Sequence, residues 1–258
     1  MGASGGAINL RFPECSATQC RLAPVKCSPM LILALETSTE LGSCALWHDE
    51  RLIERYCPTG RSHSETLLPR VRELLAEAGI GISQLDAIAF GVGPGAFTGL
   101  RVACGAAQGL AVAGDIPLIP LTSLETMAAA SGGERVLALL DARMGEVYAG
   151  AYVHSAGEYL LQGEIRVSAP LAVALPEASG WLACGNALTA YPALLPCLHE
   201  AGCSVIPDIL PQAGVLARLA VPRLARGAVI DAAEAAPLYV RDKVAKTVAE
   251  RLREGGRA

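Results

Sequence analysis

The 258-residue chain is poor in aromatic and charged residues, which make up 4% and 18% of it, against 52% hydrophobic residues. So much aliphatic material excludes a disordered chain. The formal net charge is −4, so there is no global basic field to gather nucleic acid. No apolar run approaches the roughly 18–20 residues that span a bilayer, and we expect no membrane contact.

Several motifs that would define an enzyme class are also missing. None of the nine cysteines form a CxxC pair, which argues against a structural zinc site. Cys44, Cys104 and Cys184 lie among apolar neighbours, as reduced core thiols do, and this predicts a cytoplasmic protein. The chain contains neither a P-loop nor a GxSxG sequence, so nothing indicates a P-loop NTPase or a hydrolase of that type.

Composition and patterning divide the chain into four parts. Residues 1–29 are rich in Gly, Ser and Pro and lack the apolar core of a signal peptide. We expect a disordered leader or a mis-assigned start there, with the folded protein beginning at Met30. Two α/β lobes are expected over 30–133 and 134–245, followed by a flexible tail over 246–258.

Each expected lobe begins with three short strands separated by polar turns. In the first half these strands are expected at 31–35, 42–47 and 51–56, and in the second at 135–140, 146–154 and 158–167. The first strand of each set ends in a carboxylate, at Glu36 and at Asp141. The pattern predicts two duplicated halves, although two apolar strands can also resemble each other by chance.

Helical spacing follows the first three strands. Apolar residues recur from about Ser64 to Ala78, and Gly79 closes this helix. A second helix is expected over Thr98–Ala113, with small residues at four-residue spacing that would let helices approach closely. Past Leu171 the pattern is less regular, with helical stretches expected over Ala187–Ala201 and Ala213–Ala225.

The most informative stretch is the glycine-rich run from Gly91 to Arg101, between an apolar strand and the second helix. A glycine turn that leads into a helix N-terminus can bind anions, because free N–H groups and the helix dipole point there. The same residues can equally form a tight connection that lets the helix pack closely. The sequence alone leaves both interpretations open.

Five motifs resemble the TsaB family (also called YeaZ), in that family's order and over nearly all of 30–245. They are LETST from Leu35, HSETLLP from His63, GPGAFTGLR from Gly93, DARMGEVY from Asp141 and PLYVR from Pro237. The resemblance implies an α/β protein of the actin-like ATPase (RNase H-like) fold. Its two lobes would each carry a mixed sheet led by a three-strand antiparallel meander.

The resemblance also implies a function. The family is the non-catalytic partner of TsaD in bacterial tRNA N6-threonylcarbamoyladenosine synthesis, with TsaE as a further partner and tRNA bound only through the complex. The related catalytic subunit binds metal through an HxxxH pair, whereas His48, His63, His154 and His199 of this chain contain no such pair. We therefore expect no catalytic residue and no metal site.

The resemblance implies that the two helices form the family's docking face. In the complex this face would contact TsaD, and without TsaD it would contact a second copy of the chain to form a homodimer. The residues that carry over are Leu67, Leu68, Val71, Leu74, Leu75, Leu100, Arg101, Cys104, Gln108 and Ala111. Periodicity does not decide which of them face the partner and which face the sheet.

A second group of residues could form a nucleotide or interface turn, with ATP or ADP and Mg²⁺ at the junction with the partner. These residues are Glu36, Thr37, Ser38, Gly93, Gly95, Thr98 and Asp141. The alternative function is an ATP-dependent kinase or ATPase of the same fold. A metallopeptidase is set aside, because both HxxxH and HExxH are missing.

Overall fold

The computed structural model describes residues 30–240 and contains two five-stranded mixed sheets. The first has the order β3-β2-β1-β4-β5, with an antiparallel meander of β1 to β3 and parallel pairing from β1 through β5. Its strands are β1 (Leu31–Glu36), β2 (Ser43–His48), β3 (Arg51–Tyr56), β4 (Ala87–Gly93) and β5 (Leu118–Thr122). The expected leader over 1–29 and tail over 246–258 lie outside the described residues.

The second sheet repeats this arrangement, with the order β10-β9-β6-β7-β8 and the meander again first in sequence. Its strands are β6 (Arg135–Arg143), β7 (Glu146–Ser155), β8 (Glu158–Ser168), β9 (Leu182–Gly185) and β10 (Ser204–Pro207). The predicted fold class, two duplicated halves each led by an antiparallel meander, is confirmed.

Helices cover the first sheet on both faces, which explains why β1 is apolar at consecutive positions. Leu33 and Leu35 pack in one core cluster with residues of α1 and α2, while Ile32 and Ala34 pack in another with α6. The helices are α1 (His63–Ala78), α2 (Phe97–Gly114), α3 (Ser123–Ser131), α4 (Ala187–Ala190), α5 (Leu194–Glu200) and α6 (Ala213–Ala225).

Two helices pack across the division between the sheets. The first sheet is built from residues 31–122 and the second from 135–207, so the expected lobe boundary after residue 133 falls between them. However, α3 packs its Leu124, Met127 and Ala128 against the second sheet. Conversely, α6 follows the second sheet in sequence but packs on the first. The lobes are therefore not independent along the chain.

The second half differs from its prediction in two places. The single helix expected over Ala187–Ala201 is wrong, because it is split into α4 and α5 around Tyr191 and Pro192. A proline disfavours helical backbone at the residue before it, and Tyr191 has φ −131° and ψ 75°. Strands β9 and β10 were not predicted, since each has only four residues.

The last described segment returns to the first lobe. The Leu238 N–H donates to the Val92 carbonyl at 2.8 Å, at the end of β4. The Leu238 side chain packs against the core clusters of both sheets, and Val240 lies in that of the second. Residues 238–240 therefore contact both lobes, close to the start of α2. No helix within residues 30–240 is long and apolar enough to cross a membrane.

Candidate functional site

A cleft of about 490 Å³ lies between the two lobes, at the ends of their first strands. The first lobe contributes the β1–β2 turn with Ser38 and Thr39, and the glycine-rich turn with the first residues of α2. The second lobe contributes the β6–β7 turn, including Asp141 and Arg143. The turns that the sequence singled out are thus brought together.

The glycine-rich turn packs directly on the β1–β2 turn. The Thr37 hydroxyl donates to the Gly99 carbonyl and the Ala96 N–H donates to the Ser38 carbonyl, both at 2.7 Å. A Cβ at Gly95 would overlap the Ser38 carbonyl oxygen, and one at Gly99 would overlap that of Thr37. These two glycines are therefore explained by close backbone packing, which fixes the first turn of α2.

Two further predicted residues complete this turn. Gly93 has φ +113°, a backbone conformation that favours glycine, and is buried beside Leu100 and the carbonyl of Leu238. Thr98 is exposed in the first turn of α2 and lines the cleft. The helix begins after Ala96 without a side-chain cap.

Glu36 lies beneath the turn and is fully buried. One carboxylate oxygen accepts the Ser38 N–H at 2.6 Å, and the carboxylate fills the space next to Gly91, where a Cβ would overlap it. Burial raises the pKa of Glu36 more than the hydrogen bonds from Ser38 and Thr37 lower it. The side chain does not line the cleft.

Asp141 is at the opposite wall and is held by its own lobe. Its Oδ1 accepts hydrogen bonds from the Tyr191 hydroxyl and the Arg143 N–H, each at 2.8 Å. Its Oδ2 lies 3.2 Å from Nη1 of Arg143, whose Nη2 lies 3.8 Å from a carboxylate oxygen of Glu40 in the first lobe. Arg143 thus spans the cleft between the two acidic turns.

This arrangement does not fit a magnesium–nucleotide site of the actin-like kind. Such a site needs accessible carboxylates, but Glu36 is enclosed and Asp141 is engaged by Tyr191 and Arg143. Within residues 30–240 no group of three His, Cys, Asp or Glu residues could hold a metal ion. Nucleotide binding at a junction with a partner stays a prediction.

Most of the ten residues expected to dock a partner are part of the protein's own core. Seven are at most 7% exposed: Leu67, Val71, Leu74, Leu75, Leu100, Cys104 and Ala111. The reason is that helical periodicity in a surface helix selects the stripe that faces its own sheet. Gln108 is partly buried and donates to the Ala232 carbonyl at 2.9 Å. Only Leu68 and Arg101 are exposed.

The opposite side of α2 is open and nearly free of charge. We define the outer face of α2 as Arg101, Gly105, Gly109 and Val112, all of which are exposed. Val112 is 71% exposed, and a Cβ at Gly105 or Gly109 would meet no atom of residues 30–240 within 4 Å. The four-residue spacing of small residues predicts a close helix approach, but it does not identify which face of α2 is left uncovered.

Comparisons with known proteins identify relatives of this chain. The chain is 36% identical over 234 residues to the TsaB protein of Escherichia coli, named for tRNA threonylcarbamoyladenosine biosynthesis, covering 84% of this chain and 96% of that relative. It is 46% identical to the Haemophilus influenzae TsaB protein over 123 residues, which cover 46% of this chain and 52% of that relative.

A solved structure and a family profile also match this chain. A Pseudomonas aeruginosa protein described as similar to peptidase YeaZ is 41% identical, with a TM-score of 0.74 over 82% of this chain and 100% of that chain. The profile of the family described as TsaD, tRNA N6-adenosine threonylcarbamoyltransferase, matches residues 58–174. That match includes both α1 and α2.

Proposed function

The chain belongs to the TsaB family of tRNA threonylcarbamoyladenosine biosynthesis proteins, and we propose that it is the non-catalytic subunit that docks to TsaD and activates it. In this proposal TsaE is a further partner, tRNA is bound only through the complex, and the complex works in the cytoplasm. The observation that carries the proposal is the outer face of α2.

The two glycines of this face suggest close packing against another helix. A glycine inside a helix costs about 1 kcal/mol relative to alanine. Neither Gly105 nor Gly109 is required by the fold described, since each has open space where a side chain would stand. Small residues four positions apart let the axis of a second helix approach closely. Packing against a partner helix would therefore offset the free-energy cost of both glycines.

TsaD suits this face because it is related to the chain in the same region. The TsaD profile matches residues 58–174, so a TsaD protein is expected to carry counterparts of α1 and α2. Two such helix pairs can pack about an approximate twofold axis, as identical surfaces do in a homodimer. The same geometry supports a homodimer of this chain when TsaD is absent.

The cleft supports a docking subunit rather than an ATPase. Its first carboxylate is enclosed, and the turns that would cradle phosphates are bonded to each other. The four histidines of the sequence include no HxxxH pair for a metal. These features favour an architectural role over the kinase or ATPase alternative.

Light scattering coupled to size-exclusion chromatography tests the proposal with the full chain, alone and mixed with its cognate TsaD. We expect a homodimer that exchanges into a one-to-one heterodimer. Val112→Asp should weaken this association by over a hundredfold, about 3 kcal/mol, because it buries an unpaired charge. Leu171→Asp is the matched control, since Leu171 is also 71% exposed and lies far from α2 in sequence. A species indifferent to TsaD, or ATP turnover by the isolated chain, would contradict the proposal.

A further inference from the structure

Three side chains form an exposed cluster where the last described segment meets α2. The Arg101 guanidinium carbon lies 3.8 Å from the centre of the Phe97 ring. Its Nε donates to the Tyr239 hydroxyl at 3.0 Å. The Phe97 and Tyr239 rings are 5.6 Å apart between centres, with an interplanar angle of 38°. We call this group the arginine cluster.

The cluster fixes an exposed cation without neutralising it. Arg101 forms no ion pair within residues 30–240, and Nε is the only one of its nitrogens with a hydrogen bond there. An exposed arginine normally loses considerable side-chain freedom when it binds a partner. Here the stacking on Phe97 and the bond to Tyr239 have already restricted that freedom. Within residues 30–240, no group occupies the outer edge of the guanidinium, which can form two parallel hydrogen bonds.

Arg101 also stands in line with the two open glycines. Positions 101, 105 and 109 are separated by four residues each, so they form one row along the helix surface. A partner helix that passes over Gly105 and Gly109 therefore runs beside Arg101. No other residue of α2 carries a formal charge, and the positive end of the helix dipole is at the same end.

We propose that Arg101 is a preorganised anchor for a carboxylate of the docking partner, with Phe97 and Tyr239 as positioning residues. This inference rests on the proposed function and specifies the chemistry that the partner must present. RNA is the less favoured ligand, since the rest of the row is apolar, the net charge of the chain is −4, and phosphate backbones are bound by several cations together.

The test measures the dissociation constant of the full chain for its cognate TsaD at low and high salt. Arg101→Gln should weaken binding roughly tenfold and reduce its salt dependence. Arg101→Lys should restore only part of the affinity, because an ammonium cannot pair bidentately. Arg51→Gln, at an exposed hairpin position, removes the same charge elsewhere and should change nothing.

The positioning role has its own readout. Tyr239→Phe should weaken binding less than Arg101→Gln, and its effect should disappear when Arg101 is already glutamine. A merely structural role for Tyr239 would instead lower the melting temperature and give additive effects.

The remaining outcomes separate this inference from the function on which it rests. Binding by wild type that Arg101→Gln leaves unchanged would overturn the anchor and leave the docking subunit intact. Weaker tRNA binding by the Arg101→Gln complex, with normal affinity for TsaD, would assign the cation to phosphate and also overturn it. No binding of wild type to TsaD would overturn both.

Discussion

At the scale of single residues, Glu36 shows how a carboxylate can be structural in a position where the sequence suggests a ligand. It ends the first strand, as a phosphate-site or magnesium-site residue would, but its side chain points beneath the glycine turn and is fully enclosed. There it accepts the Ser38 N–H, which orders the β1–β2 turn that in turn bonds α2. Its contribution is therefore to the geometry of the β1–β2 turn and of the first turn of α2.

Glu36→Gln should remove part of the pH dependence of stability. Because burial raises the pKa of Glu36, the folded protein holds an extra proton between the ordinary carboxyl pKa and the raised one. The stabilisation that this proton contributes is fully present below the ordinary pKa and is lost as pH rises through the raised pKa. The loss in the free energy of unfolding is about 1.4 kcal/mol for each tenfold difference in proton affinity between the folded and unfolded states. Urea unfolding across pH should give a flatter curve for the variant.

A constant offset between the two curves would not matter to this test, since only their slopes are compared. Glu50→Gln, at an exposed turn residue, is the control and should keep the wild-type slope. Parallel curves for Glu36→Gln and wild type would mean that folding does not shift the pKa of Glu36, and would contradict this prediction.

At the scale of elements, the two faces of α2 have different surroundings, one buried against the first sheet and one exposed. One carries the small buried residues Ala103, Ala107 and Ala111, which bring the helix close to the first sheet. The other carries open glycines and Val112. Helix propensity alone favours alanine at positions 105 and 109. Glycine at these positions therefore lowers the stability of the isolated chain.

Alanine substitutions along α2 should therefore have opposite effects. Gly105→Ala and Gly109→Ala should each stabilise the isolated chain by about 0.5–1 kcal/mol, yet weaken association with TsaD or with a second copy. Gly99→Ala should destabilise the chain, because its Cβ would overlap the Thr37 carbonyl oxygen. Thermal melts and light scattering on the same samples measure both quantities. Unchanged association in the first two variants would remove the argument for a helix packed there.

At the scale of the whole molecule, the two crossing helices join the lobes. Arg223 of α6 pairs with Glu125 of α3 at 2.5 Å and also donates to the Pro120 carbonyl at 3.0 Å. Both side chains are largely buried, and burial raises the pKa of Glu125 in spite of the charge of Arg223. Since α3 packs on the second sheet and α6 on the first, this ion pair links the two lobes.

Arg223→Met should destabilise both lobes together by about 3–5 kcal/mol, because it leaves a buried carboxylate without its partner. The two tryptophans provide separate reporters, since Trp47 is on β2 and Trp181 lies just before β9. In Trp47→Phe and in Trp181→Phe, the fluorescence transition of the remaining tryptophan should coincide with the circular dichroism transition of the same sample, with and without Arg223→Met. Adding Glu125→Gln should recover part of the loss. A fluorescence transition that separates from the circular dichroism transition of the same variant would show that the lobes unfold independently.

The sequence by itself determined the strands and helices of the first half, the duplication and the family. Periodicity and turn residues act locally, so β3 and α6 have the predicted bounds and α1 ends at Gly79 as expected. The turns that carry these motifs also line the cleft between the lobes.

Only the tertiary structure decided what those residues do. Which side of α2 is open depends on the sheet beneath it, and the seven buried docking candidates show that apolar spacing cannot make this choice. Strands β9 and β10 are too short to produce a pattern and form because β6 provides a parallel edge for β9, which in turn pairs with β10. Likewise, the enclosure of Glu36 depends on Gly91, and the orientation of Arg101 on Tyr239, 138 residues away along the chain. Such long-range contacts have no local signal, and in this protein they shape the surface on which the proposed docking depends.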